Sequence, residues 1–219
     1  MLRKNQKQVF TKVLIMASIV ALALTISLSA GEPYVIGKTY GEWCLEWFQC
    51  IGAIPPAENP LFSEGEVDLS IGQEGKVWFL SGSWVGTVER TGTVPANKAL
   101  FFPVFNVWAY NDVGEEYTEE ELREMAEGAV DLVSVLNCTV DGKALPISSN
   151  LRPKAIVRVQ SPAFSYSSDV FGSSDLAVMD GYWVMLPPLS EGEHVIHFDG
   201  GIPEWNWMQD VTYNLTVVP

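Results

Sequence analysis

Positive charge, histidine and cysteine are all scarce in this chain, and each scarcity removes a class of function. Lys and Arg number 13 against 27 Asp and Glu, for a formal charge of −14. A polypeptide this acidic has no electrostatic means of gripping phosphate backbones or anionic lipid, which argues against a nucleic-acid partner. The only histidines, His194 and His197, stand three residues apart. On a strand that spacing points them to opposite faces, so they cannot share a ligand. A His-dependent triad would need one of them beside a nucleophile, and no G-x-S-x-G elbow supplies a serine. Cys44, Cys50 and Cys138 make no CxxC or Cys–His spacing, which argues against zinc. EF-hand spacing is missing, and GSWVG at residues 82–86 lacks the Lys of a P-loop. No metal and no cofactor are therefore expected. Neither a solenoid-length repeat nor a Ser- or Gly-rich linker is visible, so one domain is expected.

Long apolar runs are equally few. Only residues 13–28 approach membrane-spanning length, and Ser18, Thr25 and Ser27 dilute them. Arg3, Lys4, Lys7 and Lys12 precede the run, and Ser27, Ser29 and Ala30 close it, offering cleavage after Ser29 or Ala30. That is the layout of a secretory signal peptide over residues 1–30. An uncleaved membrane anchor is the alternative, but the run falls short of the roughly 20 apolar residues a spanning helix needs. Removing the four basic residues takes the formal charge to −18 for residues 31–219. The expected location is secreted or extracytoplasmic, with no stable membrane insertion after cleavage.

Aromatics, in contrast, are plentiful: eight Trp, ten Phe and seven Tyr. The stretch from Lys76 to Trp108 holds two apolar runs, residues 77–80 and 99–107, too short for helices and rich in Val and rings. They read as strands buried against a second layer. Residues 84–90, 155–159, 182–186, 193–198 and 211–217 are further strands; in the last, Val211, Tyr213, Leu215 and Val217 share one face. Asp141-Gly142 marks a tight hairpin turn. Residues 55–73 and 161–174 read as loops. Two helices are expected. One follows Thr39 and stops at Pro55-Pro56. The other spans Thr118 to Leu136, opened by a Thr118-x-x-Glu121 capping box.

If the first helix forms, Cys44 and Cys50 lie about 9 Å apart along its axis, beyond the roughly 7 Å reach of a disulfide. A bridge would have to join Cys138 to one of them; otherwise all three are small buried side chains. The same helix places Trp43 and Trp47 on one stripe, either in the core or as an aromatic platform flanked by Glu42 and Glu46. Paired carboxylates would serve glycoside hydrolysis, and Glu42, Glu46, Asp112 and Asp180 stand beside aromatics or strand ends. The most suggestive surface feature is IPEWNWMQ, where Trp205 and Trp207 flank Asn206. Exposed on one side, the two indoles would stack a sugar ring; folded back, they would close the end of the core. Asn137 and Asn214 begin N-x-Thr glycosylation patterns.

Three segments, GKTYGEWCLEWFQCIGAIPPAENP, GQEGKVWFLSG with RTGTVPANKALFFPVFN, and DGYWVMLPPLSEGEHVIHFDGG with DVTYNLTV, occur in this order. In them the chain resembles a family of uncharacterised secreted bacterial proteins. The resemblance carries no activity and no catalytic residues. It implies a cysteine pair at the positions of Gly92 and near Leu69, which this chain lacks. The closing segment also looks like the last hairpin of an immunoglobulin-like or jelly-roll sandwich, an analogy of fold alone.

The expectation is a mainly β protein, a β-sandwich with two helices packed on or beside it. Its expected function is a non-catalytic binding module for carbohydrate or another cell-envelope component, with Trp205, Trp207, Asn206, Trp43 and Trp47 as candidate ligand contacts. An extracellular hydrolase using two carboxylates and a structural envelope protein are the alternatives.

Overall fold

A computed structural model describes residues 36–219, so the signal-peptide expectation for residues 1–30 lies outside the described residues. In chain order the first elements are α1 (Tyr40–Ala53), β1 (Gly65–Glu66), β2 (Val77–Phe79), β3 (Thr87–Pro95), β4 (Ala99–Tyr110) and α2 (Glu119–Val130). They are followed by β5 (Val135–Val140), β6 (Lys143–Ala144), β7 (Ile147–Ser148), β8 (Ile156–Gln160), β9 (Phe164–Ser168), β10 (Gly172–Leu186), β11 (Gly192–Ile202) and β12 (Trp207–Val218). Two sheets form, a β-sandwich with two helices. Sheet A has the order β1-β3-β12-β11-β5-β6; sheet B has the order β2-β4-β10-β8-β7, with β9 also paired to β10. Both are mixed: β3 runs parallel to β12 and β2 parallel to β4.

Each sheet turns one face inward. The alternation of β12 buries Val211, Tyr213, Leu215 and Val217 against Leu100, Phe102, Val104, Val184 and Leu186 of sheet B. Phe102 and Phe198 stack across the interface with centroids 5.0 Å apart. The outer face of sheet B is covered too. There α1 packs Trp47, Phe48 and Ile51 against Phe101, Met179 and Trp183. This explains why residues 99–105 read as one apolar run: both faces of that strand are buried.

Pro103 changes the faces. It lacks the N–H a central strand needs, and β4 accommodates it with a bulge, the register jumping from Tyr182↔Phe105 to Trp183↔Pro103. Val104 is the extra residue. Before it, even-numbered residues of β4 point inward; after it, Phe105, Val107 and Ala109 do. Those three pack with Val178 against Leu122, Ala126, Ala129 and Val130 of α2, which extends the inner layer beside sheet A. Asn106, Trp108 and Tyr110 are thereby turned to the outer face, each half-buried.

An ionic anchor docks α2. The buried Asp180 carboxylate receives Nη2 of Arg158 at 2.7 Å and Nε2 of Gln160 at 3.2 Å. The same guanidinium reaches Asp131 and the carbonyl of Glu127, so a cation closes the helix C-terminus.

Both helices start at capping boxes, Thr39 with Glu42 and Thr118 with Glu121, as the sequence predicts. The second is shorter than its periodicity suggests. It stops at Val130 rather than Leu136, because the β-branched residues after it supply β5 against β11. Residues 161–174 are another correction. Instead of a loop they hold β9, in which Phe164 and Tyr166 alternate with serines and both pack on Phe48. The expected strand at 84–90 begins at Thr87 and runs on to Pro95. Asp141 and Gly142 take φ of 51° and 72°, the tight turn expected between β5 and β6. All three cysteines are free, Cys44 and Cys138 lying in different layers. At Gly92 a Cβ would sit 2.6 Å from Cδ1 of Leu69, so the two residues are close neighbours.

Candidate functional site

The site is built around four residues, Ser81-Gly82-Ser83-Trp84, that leave β2 and cross the end of sheet A. Short polar residues cannot fix themselves by packing, so their backbone is held by side chains from elsewhere. Arg90 on β3, fully buried, donates through Nη1 to the Ser81 carbonyl at 3.2 Å and through Nη2 to the Gly82 carbonyl at 3.1 Å. Its Nε donates to Ser63 at 2.9 Å, and Nη1 also reaches the Tyr213 hydroxyl at 2.7 Å. Among the described residues no carboxylate pairs with this guanidinium. Carbonyls, a hydroxyl and the Tyr213 ring face, 5.2 Å away, satisfy it instead.

Gln209 of β12 completes the clamp. Its Oε1 accepts from the Ser83 N–H at 3.0 Å, and its Nε2 donates to the Val104 carbonyl freed by the bulge. A Cβ on Gly82 would come within 2.0 Å of that Oε1, so any larger residue would have to push the Gln209 amide out of the clamp. From the helix side, Nε1 of Trp47 donates to Leu80 at 2.8 Å. Asn59, buried, ties the end of α1 to the turn carrying Leu61 and Phe62. The Trp84 N–H then bonds the Leu61 carbonyl at 3.0 Å.

So held, the Trp84 indole lies parallel to that of Trp108, with centroids 5.8 Å apart and planes within 9°. Phe171, from the β9–β10 turn, tilts against both at 5.6 and 5.5 Å, and Phe48 lies beneath it at 4.4 Å. Trp207 meets Phe105 edge-on at 5.1 Å on the far side. These rings border one hollow whose other walls are Trp47, Leu61, Gly82, Ser83, Asn106 and Gln209. Its volume is about 40 Å3, room for only a few water molecules. A ligand ring would therefore lie across the partly exposed indoles instead of sinking between them. Among the described residues no ionisable side chain lines the hollow. Gln209 is engaged at both ends of its amide, whereas the half-buried Asn106 makes no side-chain hydrogen bond among the described residues.

The residues singled out from sequence are dispersed. Trp207 borders the hollow; Trp205 lies outside it in a short 3-10 turn and packs with the cluster of Val130, Val133 and Ile202. Asn206 is exposed in the left-handed region, φ 52°, and lets the chain turn between the two. Trp43 is buried beside Phe79, and Trp47 is buried edge-on to Trp183 while also lining the hollow. The four carboxylates are engaged separately. Glu42 caps α1, where the Thr39 N–H and hydroxyl hold its carboxyl below the usual value. Glu46 pairs with Lys38 at 2.6 Å, Asp112 accepts from the Val113 N–H at 2.8 Å, and Asp180 anchors Arg158. None of the four lines the hollow. Trp84, Trp108, Phe171 and Asn106 went unmarked in the sequence because they lie 87 residues apart at the extremes and share no spacing rule.

The fold and hollow define a two-layer β-sandwich protein with an aromatic surface cleft. No family model, curated protein or solved structure matches the chain. Among the described residues no helix is long and apolar enough to cross a membrane, and no three His, Cys, Asp or Glu converge as metal ligands.

Proposed function

We propose that this is an exported, non-catalytic binding module that holds a carbohydrate chain of the cell envelope or its surroundings on the hollow bordered by Trp84, Trp108, Phe171 and Trp207. The observation that carries the reading is the combination of parallel, partly exposed indoles with an amide, Asn106, that is unpaired among the described residues, and no charged lining among them. The C–H faces of a pyranose stack on indole faces, and an amide both donates to and accepts from sugar hydroxyls. Ligand sites commonly join aromatic walls to a few such polar groups. The bare hollow suits a neutral glycan better than a phosphorylated or sulfated one, which would need a cation there. The signal-like segment ahead of the domain supports export. The carboxylate hydrolase is the weaker reading, since its four candidate acids are engaged in a helix cap, ion pairs and a backbone hydrogen bond, and none of them lines the hollow.

The test is tryptophan-fluorescence and calorimetric titration of the purified protein with a panel of neutral, acidic and sulfated oligosaccharides. Binding of a neutral glycan that weakens about tenfold or more, about 1.4 kcal/mol, in Trp84→Ala and Trp108→Ala supports the assignment. Binding that persists in both variants, or no binding to any glycan, refutes it.

A further inference from the structure

At the opposite end of β11 from Trp207, a second cluster joins three groups that sequence spacing did not connect. His194 Nδ1 lies 2.8 Å from Oδ2 of Asp141, in the β5–β6 turn. Its Nε2 lies 3.2 Å from the hydroxyl of Ser190 and 2.9 Å from the carbonyl of the same serine. Serine, imidazole and aspartate in this order resemble a nucleophilic triad. The carbonyl decides otherwise. A base accepting the Ser190 proton must aim a lone pair from Nε2, and that lone pair would face the carbonyl oxygen at 2.9 Å. With a proton on Nε2 the same contact becomes a hydrogen bond. The ring is thus arranged to donate from both nitrogens, to Ser190 O and to Asp141 Oδ2, which only imidazolium does. Asp141 is fixed in turn: its Oδ1 accepts from the Val195 N–H at 3.0 Å, and its own N–H donates to Val195 O at 2.8 Å.

We infer that His194 is a proton-operated latch, tying the 187–191 crossover between the two sheets to the β5–β6 hairpin at the edge of sheet A when the ring carries both protons. The charged groups around it are Asp141 from the hairpin, with Lys143 beside that carboxylate, and Glu193 on its own strand. From β12 the residue opposite His194 is Leu215, and Thr216 occupies Glu193 through a 3.2 Å hydrogen bond. Both ends of the latch titrate. The Asp141 bond, opposed by partial burial and helped by Ser190 and Glu193, holds the imidazole above its ordinary 6.5. Partial burial works against the Asp141 carboxylate, but the Val195 N–H and the imidazole outweigh it and hold it below 3.8.

A raised histidine contributes fully below its unfolded value and is lost as pH rises through the folded one. A depressed carboxylate contributes above its unfolded value and is lost as pH falls through the folded one. The latch is therefore closed in mildly acidic medium and opens at either side, loosening first the short edge strand β6.

The experiment is imidazole NMR titration with hydrogen exchange on the folded protein and on Asp141→Asn, in which asparagine tolerates the left-handed turn and keeps an acceptor for Val195. Expected are protons on both His194 nitrogens at pH 6, a midpoint above 6.5 that falls in Asp141→Asn, and an unchanged midpoint in Ser190→Ala. Protection of the Val195 amide, corrected for intrinsic rate, should drop about tenfold once the ring is deprotonated, the worth of one charge-assisted bond. A single-nitrogen tautomer at pH 6, or a midpoint indifferent to Asp141, overturns the latch. So does fluorophosphonate labelling of Ser190 that His194→Gln abolishes, which would restore the nucleophile reading.

Discussion

Replacing Arg90 tests whether a buried cation with no counter-ion among the described residues organises the aromatic hollow. In the native protein its guanidinium is fully buried and spans from the Ser63 carbonyl to that of Gly82, with Ser81 and Tyr213 between. Arg90→Lys keeps the charge but concentrates its donors at one point, which cannot reach both ends of that span. At least two charge-assisted bonds are lost, each worth about 1.5–3 kcal/mol net, so the expected cost is about 3–6 kcal/mol. Arg90→Met removes the charge and its desolvation penalty, leaving chiefly the Gly82 and Ser63 carbonyls without a donor. Its expected cost is smaller, about 2–5 kcal/mol. Against a total stability of about 5–15 kcal/mol, either change is large. Equilibrium unfolding in urea, followed by tryptophan fluorescence and far-UV circular dichroism, reads both values, and coincidence of the two probes checks the two-state assumption. Lysine should be the worse substitute. A lysine variant within about 1 kcal/mol of the native protein would refute the claim that the planar fork holds residues 81–84.

Three further outcomes follow from the same contacts. Gly82→Ala should cost about 1–3 kcal/mol as overpacking against Gln209, and near-UV circular dichroism should show the Trp84–Trp108 pair disordered; an unchanged spectrum would mean the loop relaxes freely. Asp180→Ala should cost about 2–4 kcal/mol by urea unfolding, less than for a fully buried pair because Arg158 keeps Asp131 and some solvent. Thiol reagents at pH 8 should label the native protein slowly. Burial pushes the Cys50 thiol up to about 11 and the Cys138 thiol up to about 12, so thiolate is scarce until the chain unfolds; rapid labelling of Cys138 in the native protein would contradict its burial.

Where local chemistry decides, the amino-acid order alone was sufficient. Thr39 with Glu42, Thr118 with Glu121 and Asp141-Gly142 satisfy backbone groups within four residues, and each forms as its spacing predicts. Strict alternation in residues 211–217 likewise places one side of β12 in the core, since the strand period is set by the backbone itself. Composition and alternation together are enough for a β-sandwich with two helices. Three things belonged to tertiary structure. Val135 and Leu136 leave the helical pattern because β11 offers them a ladder, a partner distant in sequence. The bulge after Pro103 reverses which side of β4 faces out, and so brings Asn106 and Trp108 to the surface beside Trp84. Arg90 and Gln209 reach that loop from β3 and β12, while His194 finds Asp141 across 53 residues. Such contacts depend on how layers cross, and a one-residue shift in one strand redirects every side chain beyond it. Local pattern carries no record of that shift, so the hollow and the latch became visible only once the sheets were assembled.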